Sequence, residues 1–237
     1  PAGASIGSRL DDLQGLTSSG STTMNQPRAS LPRLVVFLIL LGILPASLIF
    51  VVDLIVHALT DAREHLSDDS RHGFFPGYLI YALTGVVLCL LSTLYCYLWS
   101  TDAEGSGIPQ MKSIMSGFYD KCKSALSLWT LAAKALGLVC AIGGGLPVGW
   151  EGPNVHISCI IAHHLSRIPW FRPLRRDRAL RLQIMVCACS VGLASSFGTP
   201  VGGVLYALET TASFYLIPTF WKSTLATIAG AVFFMTY

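Results

Sequence analysis

Charge is scarce in this chain. Asp, Glu, Lys and Arg make up 12% of its 237 residues, against roughly 25% in soluble globular domains. With 52% hydrophobic residues and a mean hydropathy of +0.59, the composition is that of a membrane protein. The net charge of +3 is too small and too scattered for a nucleic-acid footprint, and no RNP, zinc-finger or basic-zipper pattern occurs, which excludes nucleic acid as a partner. Paired cysteines are missing too. Cys89, Cys96, Cys122, Cys140, Cys159, Cys187 and Cys189 form no CxxC, and all but one lie in apolar runs, so they read as small packing residues and not as metal ligands. No continuous apolar run occurs in the first thirty residues, which are rich in Ser, Gly and Thr. Residues 1–32 are therefore expected to be a disordered cytoplasmic tail rather than a cleavable signal.

Regular membrane crossings are the next thing in short supply. Leu34 to Leu59 is long enough to span a bilayer, follows Arg28 and Arg33, and carries Asp53 and His57 late. Asp53 reads as a solvated, cap-like acid in preference to an intramembrane functional one. An acidic loop is expected from Thr60 to His72, on the side away from the cytoplasm, and a second span from Tyr78 to Trp99 with aromatics near both ends. After that the apolar runs shorten and break at glycine and proline. Gln110–Phe118 and Val155–Ile168 are too short to cross. The latter ends in Arg167, Arg172, Arg175, Arg176, Arg178 and Arg181, which the positive-inside rule places in the cytoplasm. Leu126–Ile142 would rise to meet Val155–Ile168 within the membrane. Leu182–Phe197 is rich in small residues suited to close helix packing, Val201–Thr210 is short, and Leu216–Tyr237 carries Lys222 near its start. Broken helices at membrane depth are tolerated where they are buried in protein or line a cavity, as in transporters and channels.

Two of the breaks carry chemistry. Gly143 to His156 holds five glycines, two prolines and one carboxylate, Glu151, and Pro153 suits the first turn of a helix through Val155, Ile157 and Ile160. A helix beginning in mid-membrane presents N–H groups with no water to bind and a partial positive charge, which makes an anion site with Glu151 as a tethered competitor. The second break, Gly105-Ser106-Gly107-Ile108-Pro109, offers a serine hydroxyl beside another helix start. It reads equally as an anion contact or as a tight turn with a serine cap. His163 and His164 are adjacent, point to different helix faces and make poor joint ligands for a metal. Neither they nor Ser106 and Glu151 form a spacing known for a nucleophile or metal centre, so no enzyme is expected.

Taken together, these residues resemble the CLC family of chloride channels and proton-coupled chloride transporters. Gly105–Pro109 matches the family's GSGIP motif, Gly149–Pro153 its GKEGP or GREGP motif, and Val191–Glu209 its small-residue helix followed by the APVGGVLFxxE region. The resemblance implies an all-α fold of short, tilted and interrupted helices, with residues 33–237 as the first of two inverted repeats. It also implies a homodimer in the lipid bilayer, in a membrane it does not specify, and chloride and other small anions as the transported species, without a cofactor. By residue match, Ser106 would contribute to the chloride site with Gly105, Gly107 and Ile108. Gly152, Pro153, Asn154 and Val155 would line the pathway, and Glu151 would be the gating glutamate.

Three positions depart from the family pattern. Trp150 replaces a usual Lys or Arg, Gln110 replaces a common Glu, and Thr210 stands where exchangers usually carry a proton-relaying glutamate. Its neighbour Glu209 reads as structural in preference to a relay. The expectation is a chloride channel gated by Glu151. The alternatives are a chloride/proton exchanger using another proton route, or a truncated, non-conducting membrane subunit.

Overall fold

Residues 31–68, 74–116, 119, 122–211 and 217–236 are described by the computed structural model of the chain, and the regular structure among them is wholly helical. Leu31 apart, they belong to one compact unit, Pro32–Tyr237. The tail expected over residues 1–32 lies outside the described residues, except that Leu31 and Pro32 already begin the first helix.

That helix, α1 (Leu31–Asp68), runs nine residues beyond the expected end of the first span and takes in most of the expected acidic loop. The reason lies in Arg63. Its side chain is 5% exposed, and its guanidinium donates to the carbonyls of Gly143 and Tyr81 and stacks 4.1 Å from the centre of the Tyr81 ring. A buried anchor four residues past Leu59 holds the chain helical where composition alone suggests a solvated loop. Residues 69–73 of that loop lie outside the described residues. Nearer its middle, Asp53 and His57 face each other at 3.7 Å and remain substantially exposed, as expected for solvated groups.

Helix α2 (Phe74–Trp99) follows and packs against α4 (Leu128–Gly143), where Ser92 donates to the Gly137 carbonyl at 2.7 Å. Between them sits α3 (Ile108–Met115), of eight residues. Phe118, at the end of the expected short segment, lies outside the described residues. Helix α5 (Glu151–Leu165) starts two residues before the expected Pro153, with Trp150 at its N-cap. Proline is acceptable anywhere in a first turn because those N–H groups have no helical partner, so Pro153 fits the third position as well as the first.

After a short turn come α6 (Arg172–Arg176) and α7 (Arg178–Phe197). The Asp177 carboxylate accepts from the N–H groups of Ala179 at 2.9 Å and Leu180 at 3.4 Å. This cap starts α7 at Arg178, so Arg178 and Arg181 belong to it and not to the arginine-rich end of the preceding segment. Gly198, at φ +66°, closes α7 in the left-handed conformation, and α8 (Pro200–Thr211) begins two residues later. Last is α9 (Ile217–Thr236), where Lys222 is buried and donates to the Gln183 side chain of α7.

The core is built on helix backbones in close approach. A Cβ on Gly192 would lie 2.6 Å from the Asn154 carbonyl oxygen, and one on Gly203 would lie 2.5 Å from the Ala194 backbone nitrogen. Glycine there lets α7 approach α5 on one side and α8 on the other, the packing expected of small residues in lipid. Cys159 of α5 and Cys189 of α7 meet in the same seam with their sulfurs 3.4 Å apart, and all seven cysteines are free.

Among the described residues, three helices are long and apolar enough to cross a membrane: the stretches Leu31–Ser67, Phe75–Trp99 and Arg178–Phe197. At 1.5 Å per residue, α3, α4, α5 and α8 measure only about 12, 24, 22 and 18 Å, short of a hydrocarbon core of about 30 Å. Each must end inside the membrane or be carried there by its neighbours.

Candidate anion pathway

Two of those short helices begin at the same cavity. Its volume is about 720 Å³, and its wall includes Ser106 and Ile108 at the start of α3 and Glu151, Gly152 and Pro153 in the first turn of α5. The first helical hydrogen bond of α3 runs from Met111 N–H to the Gly107 carbonyl, and that of α5 from Asn154 N–H to the Trp150 carbonyl at 3.0 Å. The N–H groups of Glu151 and Gly152 therefore precede helical pairing, Pro109 and Pro153 have none, and the Asn154 N–H is engaged within α5. Both helix starts bring the positive end of a dipole to the cavity.

Gly107 makes the sharp entry to α3 possible. It serves as N-cap at φ +82°, a left-handed conformation costly for any residue with a Cβ. The preceding Ser106 is exposed to the cavity, and its oxygen lies 3.4 Å from the Ile108 N–H, a long contact that leaves the hydroxyl hydrogen free to be donated elsewhere. Glu151 turns its carboxylate back over Gly149, where an added Cβ would come within 2.5 Å of Oε2. An acid at the first helical position sits beside the positive end of its own helix.

A group not anticipated from the sequence completes the wall. Lys134, in the middle of α4, is 4% exposed and donates to the carbonyls of Ala103 at 2.8 Å and Gly105 at 2.6 Å. Among the described residues, no carboxylate lies within ion-pairing distance of this ammonium or of the Arg63 guanidinium. The Lys134 charge thus faces the cavity without a neutralising partner while it shapes the loop that carries Ser106. In sequence, one lysine in an apolar run could equally be a snorkelling side chain, and only the carbonyls it meets reveal its place.

The remaining candidate positions fall on α8 and α3. Tyr206 lines the same cavity, and the Thr210 hydroxyl, one turn later, donates to the Tyr206 carbonyl at 2.8 Å, while Glu209 is exposed. Gln110 is partly buried and its Oε1 has no hydrogen-bond partner. His163 and His164 diverge as their adjacency predicts. His163 Nδ1 lies 3.0 Å from the Tyr119 hydroxyl and His164 Nε2 lies 3.0 Å from the Leu126 carbonyl, and no cluster of metal-binding residues is found among the described residues.

Helices too short to cross a membrane, paired at their positive ends around a cavity and set among helices long and apolar enough to cross one, define an integral membrane protein built around a polar site. Comparison with known proteins says which kind. The family model described as voltage gated chloride channel matches residues 85–236. Chloride channel protein 2 of Drosophila melanogaster is 36% identical over 200 residues, an alignment covering 84% of this chain and 17% of the relative. The Homo sapiens protein of the same name is 34% identical, with 84% and 22% covered. Among solved structures, a eukaryotic CLC transporter superposes with TM-score 0.84 at 61% identity, covering 87% of this chain and 38% of that one. A slow cyanobacterial Cl⁻/H⁺ antiporter shares the fold, with TM-score 0.72 at 21% identity over 85% and 46% of the two chains. The chain belongs to the voltage-gated chloride channel family, CLC, and has its all-helical fold. It spans about a fifth of the length of the two chloride channel relatives.

Proposed function

We propose that the chain forms half of a chloride-selective pathway, in which the Ser106 hydroxyl and the starts of α3 and α5 hold the anion and the Glu151 carboxylate closes the path. One observation carries this reading: Ser106 and Glu151, far apart in sequence, line one cavity with two helix N-termini and an unneutralised Lys134. A deprotonated Glu151 competes with chloride for the positive helix ends. Protonation removes its charge and its reason to stay. In the complete protein, two such subunits would pair as the family resemblance implies.

Passive, channel-type flow is the first form of this proposal, because Thr210 cannot hand on a proton as a glutamate would and its hydroxyl is engaged by the Tyr206 carbonyl. The second form is chloride/proton exchange, favoured by the 61% identity to a protein described as a CLC transporter. The reversal potential of the complete protein in a bilayer, under a fixed chloride gradient and an imposed pH gradient, separates them. A potential that follows chloride alone supports the channel, and one that also moves with the pH gradient supports exchange. Absence of anion current and flux overturns both.

A further inference from the structure

We propose that His156 is a positioning residue of the anion site, holding the Gly105–Ser106–Gly107 loop where the Ser106 hydroxyl can meet the ion, and thereby helping to set which anions pass. The inference rests on the reading of Ser106 as an anion contact. Its basis is the first turn and a half of α5, where Gly152 and His156, four residues apart, share a face. Gly152 supports Ser106: a Cβ there would lie 2.5 Å from Ser106 Cβ and 2.9 Å from its carbonyl oxygen. His156 supports the next residue along the loop's backbone. A Cβ on Gly107 would lie 2.6 Å from each of Cβ, Cγ and Nδ1 of His156.

The imidazole is wholly buried and fixed from its other side. Its Nε2 lies 2.8 Å from the Ala125 carbonyl oxygen. A carbonyl can only accept, so Nε2 carries the hydrogen and Nδ1 is left with its lone pair. That Nδ1 is buried without a hydrogen-bond partner, on the side of the ring that faces Gly107. The ring is thus a wedge between two backbone segments: the 3-10 turn Ser124–Leu126 ahead of α4, and the N-cap of α3. An aliphatic side chain could fill the space but would leave the Ala125 carbonyl without its donor. A small one would let Gly107 sink toward the vacancy and take Ser106 with it. Because hydrogen-bond strength falls off within a few tenths of an ångström, a slight displacement is enough to alter how the hydroxyl meets ions of different radius.

The test is a double-mutant cycle in the complete protein reconstituted into liposomes, read as the ratio of chloride to nitrate flux. His156→Ala is expected to shift that ratio by at least about twofold in the direction taken by Ser106→Ala, and to add nothing in the Ser106→Ala background, because groups that act through one contact are not additive. His156→Gln, which keeps a donor within reach of Ala125, is expected to stay near the wild-type ratio. Should His156→Ala fail to fold, His156→Asn, too short to reach that carbonyl, takes its place in the same cycle. A His156→Ala protein, or His156→Asn in its place, that lowers total flux with an unchanged ratio, or whose shift adds in full to that of Ser106→Ala, overturns the inference and leaves His156 a packing residue. If Ser106→Ala itself leaves the ratio unchanged in a conducting protein, the Ser106 reading fails and this inference fails with it.

Discussion

Gly152 lies so close to Ser106 that a single methyl group on its Cα would reach within 2.5 Å of the serine Cβ. The glycine of one motif is the floor under the serine of the other. Gly152→Ala should therefore push the loop outward, costing about 1–3 kcal/mol of stability as overpacking does. Thermal unfolding in detergent checks the cost. A melting temperature equal to that of the parent would mean the loop yields freely and Ser106 is not held from below.

Glu151→Gln keeps the shape of the side chain and removes its titration. Anion flux through this variant, measured in liposomes across a series of pH values, should lose its dependence on pH, because an amide has no proton to gain or lose there. Retained pH dependence in a conducting variant would move the gate to another group.

Lys134→Met preserves most of the buried volume but takes a donor from the carbonyls of Ala103 and Gly105 and a positive charge from the cavity wall. Hydrogen bonds to charged groups contribute about 1.5–3 kcal/mol each. The chloride concentration giving half-maximal flux should rise several-fold. Lys134→Arg, which keeps the charge, should recover part of the loss. An unchanged chloride dependence in the methionine variant would reduce Lys134 to a loop brace.

Arg63→Met should lower stability by about 1–3 kcal/mol, the cost of leaving a buried backbone group without its partner, since the guanidinium serves the Gly143 carbonyl at the end of α4. Arg172→Met, at an exposed position, is the control and should leave the melting temperature nearly unchanged. Equal effects of the two substitutions would show that the Arg63 clamp adds nothing.

What can be read from the sequence divides along physical lines. Glu151 and Ser106 are legible because each stands in a local break of glycine and proline, and an apolar chain keeps such a break at membrane depth only where protein or a cavity receives the freed backbone. The short helices are legible from run length, and the close seams of α7 from its small residues. Arg63 and Lys134 are not, because a lone basic residue looks the same whether it snorkels, faces water or meets buried carbonyls 80 or about 30 residues away in the chain. The end of α1 escapes the sequence for the same reason, its continuation depending on the Arg63 anchor. The start of α5 falls two residues ahead of its proline because proline tolerates several first-turn positions equally.

Helix α5 has neither glycine nor proline after Pro153, the residues at which helices most often bend. It therefore behaves as a stiff rod about 22 Å long. Its first half sets Gly152 and His156 against the Gly105–Gly107 loop, with the Glu151 carboxylate over Gly149, and its last turn meets Tyr119 and Leu126 through His163 and His164. The 3-10 turn Ser124–Leu126 meets this rod twice, through the Ala125 carbonyl at His156 and through the Leu126 carbonyl at His164. The surface that seats the serine loop and the grip on that turn are therefore parts of one unbroken element, with no joint between them.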